Sequence, residues 1–137
     1  METIIAADVP TRQELSELYG SVGWTTYTDD LDRLVRAIAG STWVVTARED
    51  GRLVGFARAL SDGATVAYVQ DVLVAPDRHR SGVGGRLLDA MLTRASDVRQ
   101  VVLLTDAEDG QRAFYEAHGL TEVHDVEPPL RAFVRLA

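Results

Sequence analysis

The sequence predicts an α/β protein of the α+β kind, a mixed and mostly antiparallel central sheet of about six to seven strands flanked by about four helices. Three observations carry this expectation. Apolar residues recur at helical spacing behind capping signals in the first part of the chain. Apolar runs of strand length are then separated by turns containing Asp and Gly, the pattern of an antiparallel meander. Finally an apolar strand, a glycine-rich turn, a helix and another apolar strand follow one another between Val69 and Thr105, the pattern of a parallel crossover.

Residues 2 to 7 read as a short first strand. Thr11 and Glu14 have capping-box spacing, so a helix should start near residue 12. It shows Leu15, Leu18 and Tyr19 on one face and ends at Gly20. Ser21 to Thr28 is polar and aromatic and reads as irregular. Thr28 or Asp29 should cap a second helix, with Leu31, Leu34, Val35 and Ile38 at helical spacing and Gly40 as its stop. Strands are expected at Thr42–Ala47, Arg52–Leu60 and Thr65–Val74, with turns at Glu49-Asp50-Gly51 and Ser61-Asp62-Gly63. The third is nearly continuous in apolar residues from Val66, apart from Gln70 and Asp71, which implies burial on both faces.

The helix around Arg86–Ala95 carries Val83, Leu87, Leu88, Met91, Leu92 and Ala95 as a core-facing stripe. Gln100–Thr105 reads as a buried strand, and residues 109 to 118 as a short helix closed by Gly119. Leu120–Val126 and Leu130–Leu136 read as two final strands joined by Glu127-Pro128-Pro129. No repeat, linker or low-complexity tract interrupts the chain, so residues 1–137 are expected to form a single domain.

Composition narrows the chemistry. With 137 residues and 46% apolar content, the chain is long enough for a real core. It has no cysteine, which excludes disulfides, thiolate metal sites and a cysteine acyl-enzyme. The three histidines, His79, His118 and His124, show no i, i+4 pairing, so no metal is expected. No apolar run approaches membrane-spanning length and the N-terminus lacks a basic leader; no membrane partner and a cytoplasmic location are expected. A net charge of −7 argues against nucleic acid. Yet Arg78, His79, Arg80 and Arg86 form a basic island with no acid between them, which suggests an anionic ligand there. The remaining acidity suits either a cationic co-substrate such as an amine or simple solubility.

The island sits at the glycine turn. Gly82, Gly84 and Gly85 let backbone N–H groups approach an anion with no Cβ in the way, and a helix N-terminus adds spare donors and partial positive charge. The Rossmann pattern lacks its third glycine here, and the Walker pattern lacks any Gly-Lys pair. What His79-Arg80-Ser81-Gly82-Val83-Gly84 resembles, after Val74-Ala75-Pro76, is the acetyl-coenzyme A loop of the GNAT N-acetyltransferase superfamily, [Q/R]-x-x-G-x-[G/A]. Phe114-Tyr115-Glu116-Ala117-His118-Gly119-Leu120 similarly resembles that family's F-Y-x-x-x-G-F segment.

The resemblance implies transfer of an acetyl group from acetyl-coenzyme A to a primary amine of a small-molecule acceptor, by direct attack in a ternary complex. Acetylation of a protein amine, or a non-catalytic acyl-coenzyme A sensing module, are the alternatives. By the same resemblance, His79, Arg80, Ser81, Gly82, Val83, Gly84, Gly85 and Arg86 surround the pyrophosphate, while the backbone at Leu73 and Val74 meets the thioester and pantetheine. Tyr115 matches the general acid that protonates the leaving sulfur. Asp71, on the strand leading to the loop, is a candidate base; alternatively it is structural, bonding backbone at a strand irregularity. His118 and His124 are further base candidates, and a water chain can replace a dedicated base. Trp24 and Tyr27 are candidates for acceptor contact, or else they cover the core edge. The family also allows a homodimer.

Overall fold

The computed structural model describes residues 2–137. The Thr11 side chain accepts from Glu14 N, and Glu14 returns a bond to the Thr11 backbone, so the expected capping box starts helix α1 (Arg12–Ser21). A short helix α2 (Thr25–Thr28) follows in the stretch read as irregular. Four residues carry no measurable periodicity, which is why the pattern missed it. Asp30, one residue later than expected, caps α3 (Leu31–Ala39) by accepting from Arg33 N.

Strands β1 (Thr3–Ala6), β2 (Trp43–Glu49), β3 (Arg52–Ser61), β4 (Val66–Val74) and β5 (Gln100–Leu103) form one sheet in the order β1-β2-β3-β4-β5. The first three pairings are antiparallel, and β4 with β5 is parallel. Asp50 and Gly51 have φ of +50° and +79°, the left-handed pair that a two-residue hairpin turn requires between Glu49 and Arg52. Helix α4 (Val83–Arg94) makes the crossover from β4 to β5.

Each sheet face is covered. On one face, Leu15, Leu18, Tyr19, Leu34 and Ile38 of α1 and α3 pack on Leu53, Phe56, Leu73 and Ala75. On the other, Val83, Leu87 and Met91 of α4 pack on Val45, Val54, Ala57, Ala59 and Val69. Each fully buried leucine or methionine contributes about 2 kcal/mol relative to exposure. Gly55 on β3 sets the approach of α4: a Cβ there would lie 2.8 Å from Leu87 Cδ1 and 3.1 Å from Val83 Cγ1.

The chain forms two compact units, one ending at Leu104 and one spanning Thr105–Ala137. The second contains helix α5 (Asp109–Ala117) and a 3-10 turn at Val123–Asp125. Arg112 pairs with Glu116 at 3.3 Å and with Asp125, tying that turn to the helix.

The two final strands expected from the sequence are absent, so the sheet has five strands and not six or seven. Within Leu120–Val126 the Glu122 side chain accepts from His124 N and stabilises the 3-10 turn instead. Pro128 and Pro129 supply no N–H groups for a ladder. Residues 130–137 form no strand and leave Phe133 and Leu136 exposed at 89% and 85%. Among the described residues, no helix is long and apolar enough to cross a membrane, and no group of His, Asp and Glu is arranged to hold a metal.

Candidate active site

Three features of the first unit converge on the end of β4. The first is a bulge. Arg58 is opposite Asp71 and Ala59 is opposite Val69, so Gln70 has no register partner on β3. The second is a splay. β5 pairs with β4 only from Val66 to Val69, leaving Gln70–Val74 without a strand partner on that side among the described residues. The third is the turn that follows.

Backbone direction along the splay follows from two bonds. Ala75 N donates to Val54 O at 2.8 Å, so Ala75 faces β3. Alternation turns Leu73 to β3 as well, and turns Val72 and Val74 toward the open side. The carbonyl of Val74 indeed accepts from His79 Nε2 at 2.9 Å, and since a carbonyl only accepts, that nitrogen carries the proton. Leu73 therefore presents its main chain to β3, and Val72 and Val74 present theirs to the other edge, because adjacent strand residues present their main-chain groups to opposite edges. Leu73 itself is buried in the core.

The turn comprises a 3-10 segment at Pro76–Arg78, then Arg80 and Gly82 with φ of +64° and +87°. Gly82 is the N-cap of α4 and offers no side chain to the helix. The first-turn amides of Val83, Gly84 and Gly85 therefore have neither an intrahelical partner nor a side-chain cap. Their donors and the helix dipole make a site for an anion.

The basic island is divided by its contacts. Arg86 Nη1 donates to Thr3 O at 3.0 Å, and Arg78 pairs with Glu49. Both side chains hold the framework together. Ser81 Oγ donates to Arg78 O and His79 reaches Val74, which leaves Arg80 as the island's one uncommitted cation among the described residues.

Beside the bulge lies a buried polar cluster. Asp71 is 3% exposed and Arg58 6%. Arg58 Nε donates to Asp71 Oδ2 at 2.6 Å, Tyr19 Oη donates to the same oxygen at 2.8 Å, and Tyr27 Oη donates to Oδ1 at 3.3 Å. Gln70 Nε2 donates to the Tyr27 hydroxyl at 3.2 Å. Burial, then the Asp71 charge, pushes the Tyr19 phenol far above its ordinary range, so it remains a donor. Asp71 thus has both oxygens engaged and sits at the strand irregularity, the arrangement of a structural carboxylate.

Trp24, the N-cap of α2, and Tyr27 within that helix are half-buried against the same core, with Tyr19 at 5.8 Å and 5.2 Å between ring centres. Sequence reasoning missed Arg58, Tyr19 and Gln70. A charged residue midway along an apolar strand, opposite an acid on the next, was the signal for Arg58.

In the second unit, Tyr115 lies on α5 with its ring 4.9 Å from that of Phe114. Burial raises its phenol above the ordinary value, and a hydrogen bond with Thr105 opposes that rise. His118 caps the C-terminus of α5, and its ring lies 5.0 Å from Phe114. His124 is exposed and paired with Glu122 at 2.8 Å.

The profile of the acetyltransferase (GNAT) family matches residues 10–120. A protein of Prochlorococcus marinus described as an uncharacterized N-acetyltransferase, ycf52-like, is 32% identical over 114 residues, covering 79% of this chain. The chain spans only 61% of that protein's length. A GNAT-family acetyltransferase of Streptococcus pneumoniae TIGR4 superposes with a TM-score of 0.86 at 25% identity, covering 99% of this chain and 98% of the other. An aminoglycoside 6′-N-acetyltransferase complexed with coenzyme A superposes with a TM-score of 0.67 at 25% identity, covering 78% and 64%.

Proposed function

The chain belongs to the GNAT acetyltransferase family, and from that membership we propose that it transfers an acetyl group from acetyl-coenzyme A to a primary amine of a small-molecule acceptor. The observation that carries this reading is the uncapped start of α4 behind left-handed Gly82, following a strand whose Val72 and Val74 backbone faces an open edge. The coenzyme's pyrophosphate fits that start because Val83, Gly84 and Gly85 provide amides and two of the three lack a Cβ. Arg80 adds a charge; His79 and Ser81 shape the turn, and Arg86 braces it.

The Val72 and Val74 amides polarise the thioester carbonyl and hold the oxyanion that develops on it. The amine nitrogen bonds to the carbonyl carbon in a ternary complex, the carbon–sulfur bond breaks, and the sulfur takes its proton from Tyr115. The proton lost by the amine passes to water, and the Tyr115 phenolate recovers its proton from that water. Asp71 acts here as the anchor of the Tyr19–Tyr27 pair, and Tyr27 with Trp24 borders the acceptor. We assign the whole of residues 1–137 to one catalytic domain, acting as a homodimer that covers the exposed apolar residues of the C-terminal segment.

Calorimetric titration of acetyl-coenzyme A into the wild type and Gly84→Asp tests the reading. Binding by the wild type and loss in the variant support it and open an amine screen that follows thiol release. A wild type that binds no coenzyme overturns it.

A further inference from the structure

The turn that starts the proposed coenzyme site is braced by β2, two strands away from β4 in the sheet. Glu49 ends β2, and its side chain is 8% exposed. It accepts from Thr3 Oγ1 at 2.7 Å and from Arg78 Nε. Arg78 in turn offers its backbone carbonyl to Ser81 N, at 3.3 Å, and to Ser81 Oγ. Ser81 immediately precedes Gly82, the residue that opens α4. Thr3 closes the circuit, because its carbonyl accepts from Arg86 on the first turns of α4.

We propose that Glu49 is a positioning residue for the coenzyme loop: by holding Arg78 against β2, it fixes the turn that carries Arg80 and Gly82 in left-handed conformations. This inference rests on the acetyl-coenzyme A reading. Arg80 is the reason a brace is needed. A residue with a Cβ does not hold φ of +64° unless its surroundings over-determine it. Asp77 stays tied to Arg52 of β3 at 2.9 Å and 3.1 Å, but once Arg78 is released, residues 79–82 relax toward ordinary backbone angles and the amide cradle must be rebuilt at each binding event. The energetic role of Arg78 is therefore spent inside the protein, and its proximity to the anion site is a consequence of the fold.

The experiment is a double-mutant cycle in the full chain with coenzyme A as the titrant. Glu49→Gln, Arg78→Gln and the double variant are compared with wild type by calorimetry, alongside backbone amide spectra of Gly82, Gly84 and Gly85. The expected result is a weakening of about tenfold in each single variant and no further loss in the double, since both break one link. The three glycine amides should shift in all three variants without ligand. Glu49→Gln binding within about twofold of wild type, tighter binding through a freed Arg78, or additive losses each overturn the proposal. A wild type that does not bind coenzyme A overturns the reading beneath it instead, an outcome separable from the others because it needs no variant.

Discussion

Arg58 and Asp71 face one another across β3 and β4, and the 2.6 Å bond between them has both side chains inside the protein. Two opposite charges removed from water gain little net stability as a pair, but either one left alone is costly. The pair therefore fixes geometry. It sets the orientation of Asp71, and through Asp71 that of Tyr19 and Tyr27.

Truncating one partner should reveal that asymmetry. Arg58→Ala is expected to cost about 3–5 kcal/mol in urea unfolding, because the Asp71 carboxylate is left buried with only phenol donors. Replacing both residues, Arg58→Met with Asp71→Leu, should recover most of that loss. A single variant that costs under about 1 kcal/mol would mean that water reaches the cluster.

Tyr115→Phe separates chemistry from binding. The ring packing with Phe114 survives the change, and only the hydroxyl and its bond to Thr105 are lost. Turnover should fall by about 10²–10⁴-fold while coenzyme affinity is unchanged. The phenol's raised pKa keeps the acid form present to a higher pH than for an ordinary tyrosine, so the alkaline limb attributable to it should lie above pH 10. Unchanged turnover in Tyr115→Phe would remove this residue from the acid role.

Gly55→Ala tests the approach of α4. The new Cβ would meet Leu73 O at 3.3 Å as well as the Leu87 and Val83 side chains. Overpacking of this kind costs about 1–3 kcal/mol, and here it should also weaken coenzyme A binding because Val83 begins the cradle. Thermal unfolding and calorimetry on the same variant read the two effects.

Acid should weaken the brace between α1 and β2. Arg48 donates to both oxygens of Glu14, and this bond draws the Glu14 pKa from 4.5 to about 2. A lowered carboxylate pKa means that the unfolded chain binds the proton more tightly. The associated stability is complete above 4.5 and is lost as pH falls toward about 2. The pair is partly solvent-exposed, so the loss should be about 1 kcal/mol. Glu14→Gln should flatten this part of the pH–stability curve; an identical curve would show that other groups govern it.

The readable and unreadable parts of this sequence differ by the range of the forces involved. The Thr11–Glu14 box, the Asp50-Gly51 turn and the α4 stripe are local patterns, and each appears in the structure where its spacing put it. The β4–β5 parallel pairing followed from the crossover rule. Leu130–Leu136 has strand composition, but composition does not supply a neighbouring strand, and none pairs with it here. At the site, glycine spacing located the turn, while the duties of its arginines stayed hidden. Whether Arg78 and Arg86 reach toward a ligand or toward Glu49 and Thr3 depends on residues far away in sequence. Likewise, which of Leu73 and Val72 turns its main chain to β3 depends on which edge of β4 pairs there, a matter of register that periodicity alone does not decide.

The division of the basic island has a kinetic consequence. Two of its three arginines are neutralised or bonded within the fold, and the anion cradle consists largely of uncharged amides. The protein as a whole carries a net charge of −7. A polyanionic coenzyme approaching it therefore meets long-range repulsion before it meets short-range donors. Added salt screens the first over a Debye length of about 8–10 Å and barely touches the second. Association should accelerate as ionic strength rises, the reverse of the behaviour of a site built on exposed lysines and arginines.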